Sequence, residues 1–126
     1  MNFEKEKTDA FGKLIEQAED IVLLGHFNPD GDAIGSTLGL YHYLADMGKK
    51  VCIIYPNECP AATMIYLDGI DYIISSNGEK SARYRIKHAD LLICDSLNIE
   101  KYIKEDYIVG KAWFRISSIS SMGFIK

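Results

Sequence analysis

Three short runs of this chain are apolar at nearly every position: "DIVLLG" (20–25), "KVCIIY" (50–55) and "DLLIC" (90–94). A strand with one face in water alternates polar and apolar residues, whereas a strand covered on both faces carries a continuous apolar run. Between these runs lie segments of helical periodicity. Phe11, Leu14, Ile15 and Ala18 recur at three- and four-residue spacing over 8–19, behind Thr8 or Asp9 as a cap. Ile34, Leu38, Tyr41 and Ala45 line one face of a second segment, from about Ala33 to Met47, which stops at Gly48. "EKSARYRIKHA" (79–89) forms a third. "IDYIIS" (70–75) and "KAWFRISSI" (111–119) add strand candidates, "PNECPAATMIYL" (56–67) reads as a loop entering a short helix, and "NIEKYIKED" (98–106) as one more. Strands alternating with helices predict a doubly wound α/β domain, its sheet mostly parallel with helices on both faces.

Length allows one such unit. The chain has 126 residues, 48% apolar and 25% charged, enough for a single core and too few for two. Residues 106–126 are the atypical part, because "RISSISSMGFIK" ends on serines and a glycine where the alternation calls for another helix. A net charge of −4 argues against a basic surface that grips nucleic acid unaided, so a phosphate-bearing ligand needs a local cation. No apolar run approaches the roughly 20 residues of a membrane span. The opening "MNFEKEKTDAFGKLIEQAED" is too charged for a signal peptide. Of three cysteines without a C-x-x-C pair, Cys52 and Cys94 sit in apolar runs as small buried residues, which predicts a reduced, cytoplasmic protein. Gly35 and Gly39 cost roughly 1 kcal/mol each against alanine in a helix, and close packing on the sheet is the expected compensation.

The chemistry concentrates in "HFNPDGD" (26–32). Open α/β sheets bind ligands beyond the carboxyl ends of their strands, and His26, Asp30 and Asp32 follow one apolar strand while Asp95 follows another. One imidazole with several carboxylates is a hard donor set suited to Mn²⁺ or Mg²⁺ rather than to thiolate-bound Zn²⁺. The competing reading is a plain turn, since Asn-Pro-Asp-Gly has proline and an Asx-forming aspartate where turns favour them. Residue chemistry leaves both readings standing. A calcium EF-hand loop begun at Asn28 fails, with Ala33 at its glycine position and Gly39 in place of the closing acid. The P-loop Gly-Lys-Ser/Thr is absent, and Gly25, Gly31 and Gly35 do not form a dinucleotide fingerprint. His42 reads as a surface residue, His88 as a helix-end residue, and Lys80, Arg83, Arg85 and Lys87 as a solvated helix face.

The run "GHFNPDGDAIGSTLGL" resembles the first motif of the DHH phosphoesterases, in the branch that degrades very short RNAs and dephosphorylates 3′-phosphoadenosine 5′-phosphate. The resemblance continues through "LADMGKKVCIIYPNECP" to "HADLLICDSLN", which is similar to the second motif, and spans roughly residues 8–105. It implies that His26, Asp30, Asp32 and Asp95 are metal ligands, with Asp95 bridging two Mn²⁺ ions, and that short oligonucleotides or nucleoside bisphosphates are the substrates. In such enzymes the ions hold a hydroxide and stabilise charge at phosphorus.

The third motif, Asp-His-His, occurs nowhere in these 126 residues; Ser117 and Ser118 of "WFRISSIS" stand near its expected place, and the resemblance stops short of the family's substrate-binding domain. The resemblance thus implies the N-terminal part of such an enzyme, truncated or altered by a shift of reading frame, with weak metal binding and little or no hydrolysis. The alternative is a non-catalytic α/β remnant or partner-binding module. Nothing in the sequence sets an oligomeric state.

Overall fold

The computed structural model describes residues 3–94 and 112–115. In chain order the elements are α1 (Phe3–Gln17), β1 (Asp20–Leu24), α2 (Gly31–Asp46), β2 (Lys50–Tyr55), a 3₁₀ helix (Ala61–Leu67), β3 (Tyr72–Ile74), α3 (Glu79–His88), β4 (Leu91–Cys94) and β5 (Ala112–Arg115). The strands form one sheet in the order β3-β2-β1-β4-β5. Every pairing is parallel, and Leu24 at the end of β1 registers with Ile54 on one side and Cys94 on the other. The doubly wound α/β architecture is therefore present. The segment 98–106 and the serines at 117 and 118 lie outside the described residues.

Period-two alternation sorts the apolar runs onto two faces. Ile21, Leu23, Val51, Ile53, Leu91 and Ile93 pack beneath α1 and α2, joined by Phe11, Ile15, Ile34, Leu38 and Leu44. Val22, Leu24, Cys52, Ile54, Leu92 and Cys94 face the other way and meet Ala82, Ile86 and Ala89 from α3 and its end. Both faces are covered, which explains why these strands carry no polar alternation. Cys52 is wholly buried in the second layer; burial, and then the negative charge of Asp71, push its thiol up to about 12 and keep it protonated at neutral pH.

Several boundaries and faces differ from expectation. α1 begins at Phe3, so Thr8 and Asp9 are interior positions; the preceding "EKEK" favours helix and offers no stop. On α2 the buried residues are Ile34, Thr37, Leu38, Leu40 and Leu44, while Ala45 is exposed. Gly35 and Gly39 are exposed too, and a Cβ on either meets nothing within 4 Å, so they are not packed against the sheet. Gly48 does end α2 as expected: it adopts φ +83°, its N–H donates to Ala45 O at 2.9 Å, and Lys49 N–H donates to Leu44 O at 3.2 Å. Those two bonds are the Schellman pattern, which satisfies carbonyls at the helix end.

The basic residues of α3 divide. Arg83 pairs with Glu79 one turn back. Arg85 is not a solvated residue: its side chain is only 16% exposed, donates to Asp71 Oδ2 at 3.0 Å and lies 3.6 Å from Asp20 Oδ1. Asp90 adds to this amino-terminal edge of the sheet by accepting from the N–H groups of Glu19 and Asp20, each at 3.0 Å. His88 closes α3 with its ring 4.3 Å from that of Tyr84, and His42 is exposed, both as expected.

Candidate metal centre

The winding direction of the sheet reverses between β1 and β4, because β2 and β3 extend one way and β5 the other. Loops leaving adjacent strands at such a reversal part to opposite faces and open a crevice at the carboxyl edge. The "HFNPDGD" segment leaves β1 at this point. Cys94, paired with Leu24, ends β4 beside it. Asp95 follows in the sequence and lies outside the described residues.

Gly25 sets the departure of the chain from β1. Its N–H donates to Ile54 O at 2.8 Å, and a Cβ built on it falls 2.6 Å from Cδ1 of Tyr55. Only a residue without a side chain lets the aromatic ring lie so close to this backbone. The Tyr55 hydroxyl shares a buried 2.6 Å hydrogen bond with the Thr37 hydroxyl of α2, which itself reaches Ala33 O and Ile34 O. The ring thus supports both ends of the loop, the glycine that begins it and the helix that follows.

His26 is half-buried, and its Nδ1 lies 2.9 Å from Phe27 O. A carbonyl only accepts, so Nδ1 is the donor in this contact, and ligation of a metal would fall to Nε2. This is the arrangement in which a backbone carbonyl orients an imidazole for metal ligation. Asn28 adopts φ +53°, a left-handed conformation that asparagine tolerates better than most side chains. It is held there from another loop: Asn28 N–H donates to Asn57 Oδ1, and Asn57 Nδ2 donates to Asn28 Oδ1, both at 2.7 Å. Two such bonds, each worth about 1 kcal/mol net, offset a backbone cost of roughly 1–2 kcal/mol.

Asp30 is the N-cap of α2, in extended backbone, with Oδ1 accepting from Ala33 N–H at 2.8 Å. Asp32 lies exposed in the first helical turn, where its charge suits the positive end of the helix dipole. The turn reading therefore describes a real feature, since Asp30 performs the capping role with one oxygen and its other oxygen takes no part in that bond. Among the described residues, no three histidine, cysteine, aspartate or glutamate side chains are gathered to hold a metal ion. His26, Asp30 and Asp32 share one loop without converging as a three-donor set; Asp30 turns an oxygen to the helix, and positions two apart at a helix start do not share a face. Their donor chemistry and the His26 ring orientation nevertheless fit a hard divalent cation.

The profile of the DHH family, N-terminal domain, matches residues 20–109. The chain belongs to the DHH family. The matched segment runs from the start of β1 past β4 and contains His26, Asp30, Asp32 and Asp95. DHH proteins are in general divalent-metal-dependent phosphoesterases, and this chain carries their N-terminal domain. Among solved structures, the chain is similar to an exopolyphosphatase-related protein from Bacteroides fragilis, with 28% identity and a TM-score of 0.74. The similarity covers 95% of this chain and 44% of that one, so the DHH chain here spans less than half the length of that protein. A comparison with curated protein sequences finds no match. No helix among the described residues is long and apolar enough to cross a membrane.

Asn57, Tyr55 and Thr37 are the contributors to this DHH loop that sequence reading missed. "PNECP" carries an ordinary loop signature, and Tyr55 and Thr37 read as strand and helix residues. No local signal shows that they meet the loop after β1.

Proposed function

We propose that this chain forms the metal-binding part of a Mn²⁺-dependent phosphoesterase acting on short oligoribonucleotides or 3′-phosphoadenosine 5′-phosphate, with low turnover. The observation that carries the reading is the loop after β1 at the sheet's reversal point, where His26 is oriented through Nδ1 two residues before the Asn-Pro-Asp-Gly-Asp turn. His26, Asp30, Asp32 and Asp95 are the residues to hold Mn²⁺, with Mg²⁺ as the other candidate. A bound divalent ion supplies an activated water near neutral pH and offsets charge at phosphorus. The chain itself aims the positive end of α2 at the same edge, which favours an anionic substrate. Turnover by these 126 residues is proposed as low because they do not contain the Asp-His-His tripeptide.

That same missing tripeptide favours a second reading, a non-catalytic remnant. Calorimetry with Mn²⁺ separates the two. Micromolar binding by the full chain, weakened at least about tenfold (~1.4 kcal/mol) by Asp30→Asn and by Asp95→Asn, supports the enzyme reading. Asparagine caps a helix as well as aspartate does, so Asp30→Asn removes the charge and spares α2. Binding indifferent to both variants rejects these ligands. Phosphate or mononucleotide release from 3′-phosphoadenosine 5′-phosphate, a dinucleotide and inorganic polyphosphate then identifies the substrate class; polyphosphate belongs in that panel because of the exopolyphosphatase-related neighbour.

A further inference from the structure

The loop after β2 makes no appearance in the ligand set, yet it grips the loop that does. Asn57 reaches across 29 residues of sequence to bond both the backbone N–H and the side-chain carbonyl of Asn28. Asn28 is the only described non-glycine residue with positive φ, and it stands midway between His26 and Asp30. Its left-handed turn sets the direction in which the chain leaves His26 and arrives at Asp30. Pro29 follows immediately and is buried, so the turn has little freedom to relax on its carboxyl side. The loop of Asn57 is itself anchored. Pro56 O accepts from Ser76 N–H at 3.1 Å and from the Ser75 hydroxyl at 3.3 Å, and Tyr55 O accepts from Ser75 N–H at 2.8 Å. The clasp therefore joins a loop that must hold its shape to one fixed by the sheet.

We propose that Asn57 is a positioning residue for the metal-binding loop, its carboxamide holding Asn28 in the conformation that presents His26 and Asp30 to a divalent cation. This rests on the reading of those two side chains as metal donors. Groups that orient metal ligands without touching the metal typically change affinity by about 10–100-fold when removed. An alternative role is a plain staple between two loops, which affects stability and leaves metal affinity alone.

The test compares the full chain with Asn57→Ala and Asn57→Asp by amide hydrogen exchange without metal and by Mn²⁺ titration followed by electron paramagnetic resonance. Asn57→Ala should make the Asn28 amide exchange several-fold faster and weaken Mn²⁺ binding about 10–100-fold. In Asn57→Asp both hydrogen bonds re-form once the Asn28 amide turns over, so Asn28 protection returns and Mn²⁺ affinity is at or above that of the unaltered chain. Unchanged Asn28 exchange in Asn57→Ala overturns the clasp. Faster exchange with unchanged Mn²⁺ affinity overturns the positioning role and leaves a staple. If the unaltered chain binds no Mn²⁺ at all, the proposed function fails and positioning for metal fails with it, while the exchange arm still decides whether the clasp holds Asn28.

Discussion

Gly25 and Tyr55 show how one missing side chain shapes the site. Gly25→Ala places a Cβ 2.6 Å from the Tyr55 ring, which cannot swing away without losing its hydrogen bond to Thr37. Overpacking of this kind typically costs about 1–3 kcal/mol. Urea denaturation of Gly25→Ala should show a loss in that range, with Tyr55→Phe losing only about 1 kcal/mol because the ring stays and the hydroxyl goes. A midpoint unmoved by Gly25→Ala would mean the ring yields freely and the loop is not braced there. At this scale the turn was legible in the sequence: "HFNPDGD" carries turn residues, and Asp30 caps α2 with one carboxylate oxygen. Which bracing residues support the loop was not legible, because Asn57 and Tyr55 lie distant in the chain and carry no mark of their partners.

At the scale of elements, α2 holds two glycines of opposite kind from Gly48. Gly35 and Gly39 were expected to face the sheet, and the structure turns both outward with open space around them. Alanine at either position should therefore raise stability by roughly 1 kcal/mol, read as a higher unfolding midpoint in thermal melts. Gly48→Ala should move the midpoint the other way by a similar amount, about 1 kcal/mol, since φ +83° strains any side chain. The face of α2 was misjudged for a simple reason. Its apolar residues at 34, 38, 40 and 44 form a broad stripe, and small residues at 35, 39 and 45 fit a helical template without revealing which side they occupy.

For the molecule as a whole, the parallel sheet divides labour between its two ends. The carboxyl edge carries the loop of His26, Asp30 and Asp32, while the amino-terminal edge is tied by Arg85 to Asp71 and Asp20. Replacing Arg85 by methionine keeps much of the volume and strands two carboxylates, one of them half exposed. The expected loss is about 1–3 kcal/mol after allowing for solvent screening at Asp71. It should shrink when Asp71→Asn is added, and a double-mutant cycle in urea measures that coupling. The sequence by itself determined the strands, their two-sided burial, the α/β alternation and the family motif, because periodicity, apolar runs and turn residues are local properties. Tertiary structure alone decided that β1 and β4 are neighbours at the reversal point, that Asn57 clasps Asn28, and that Arg85 turns inward. Those facts depend on which distant segments the sheet order brings together, and no local pattern of residues encodes that adjacency.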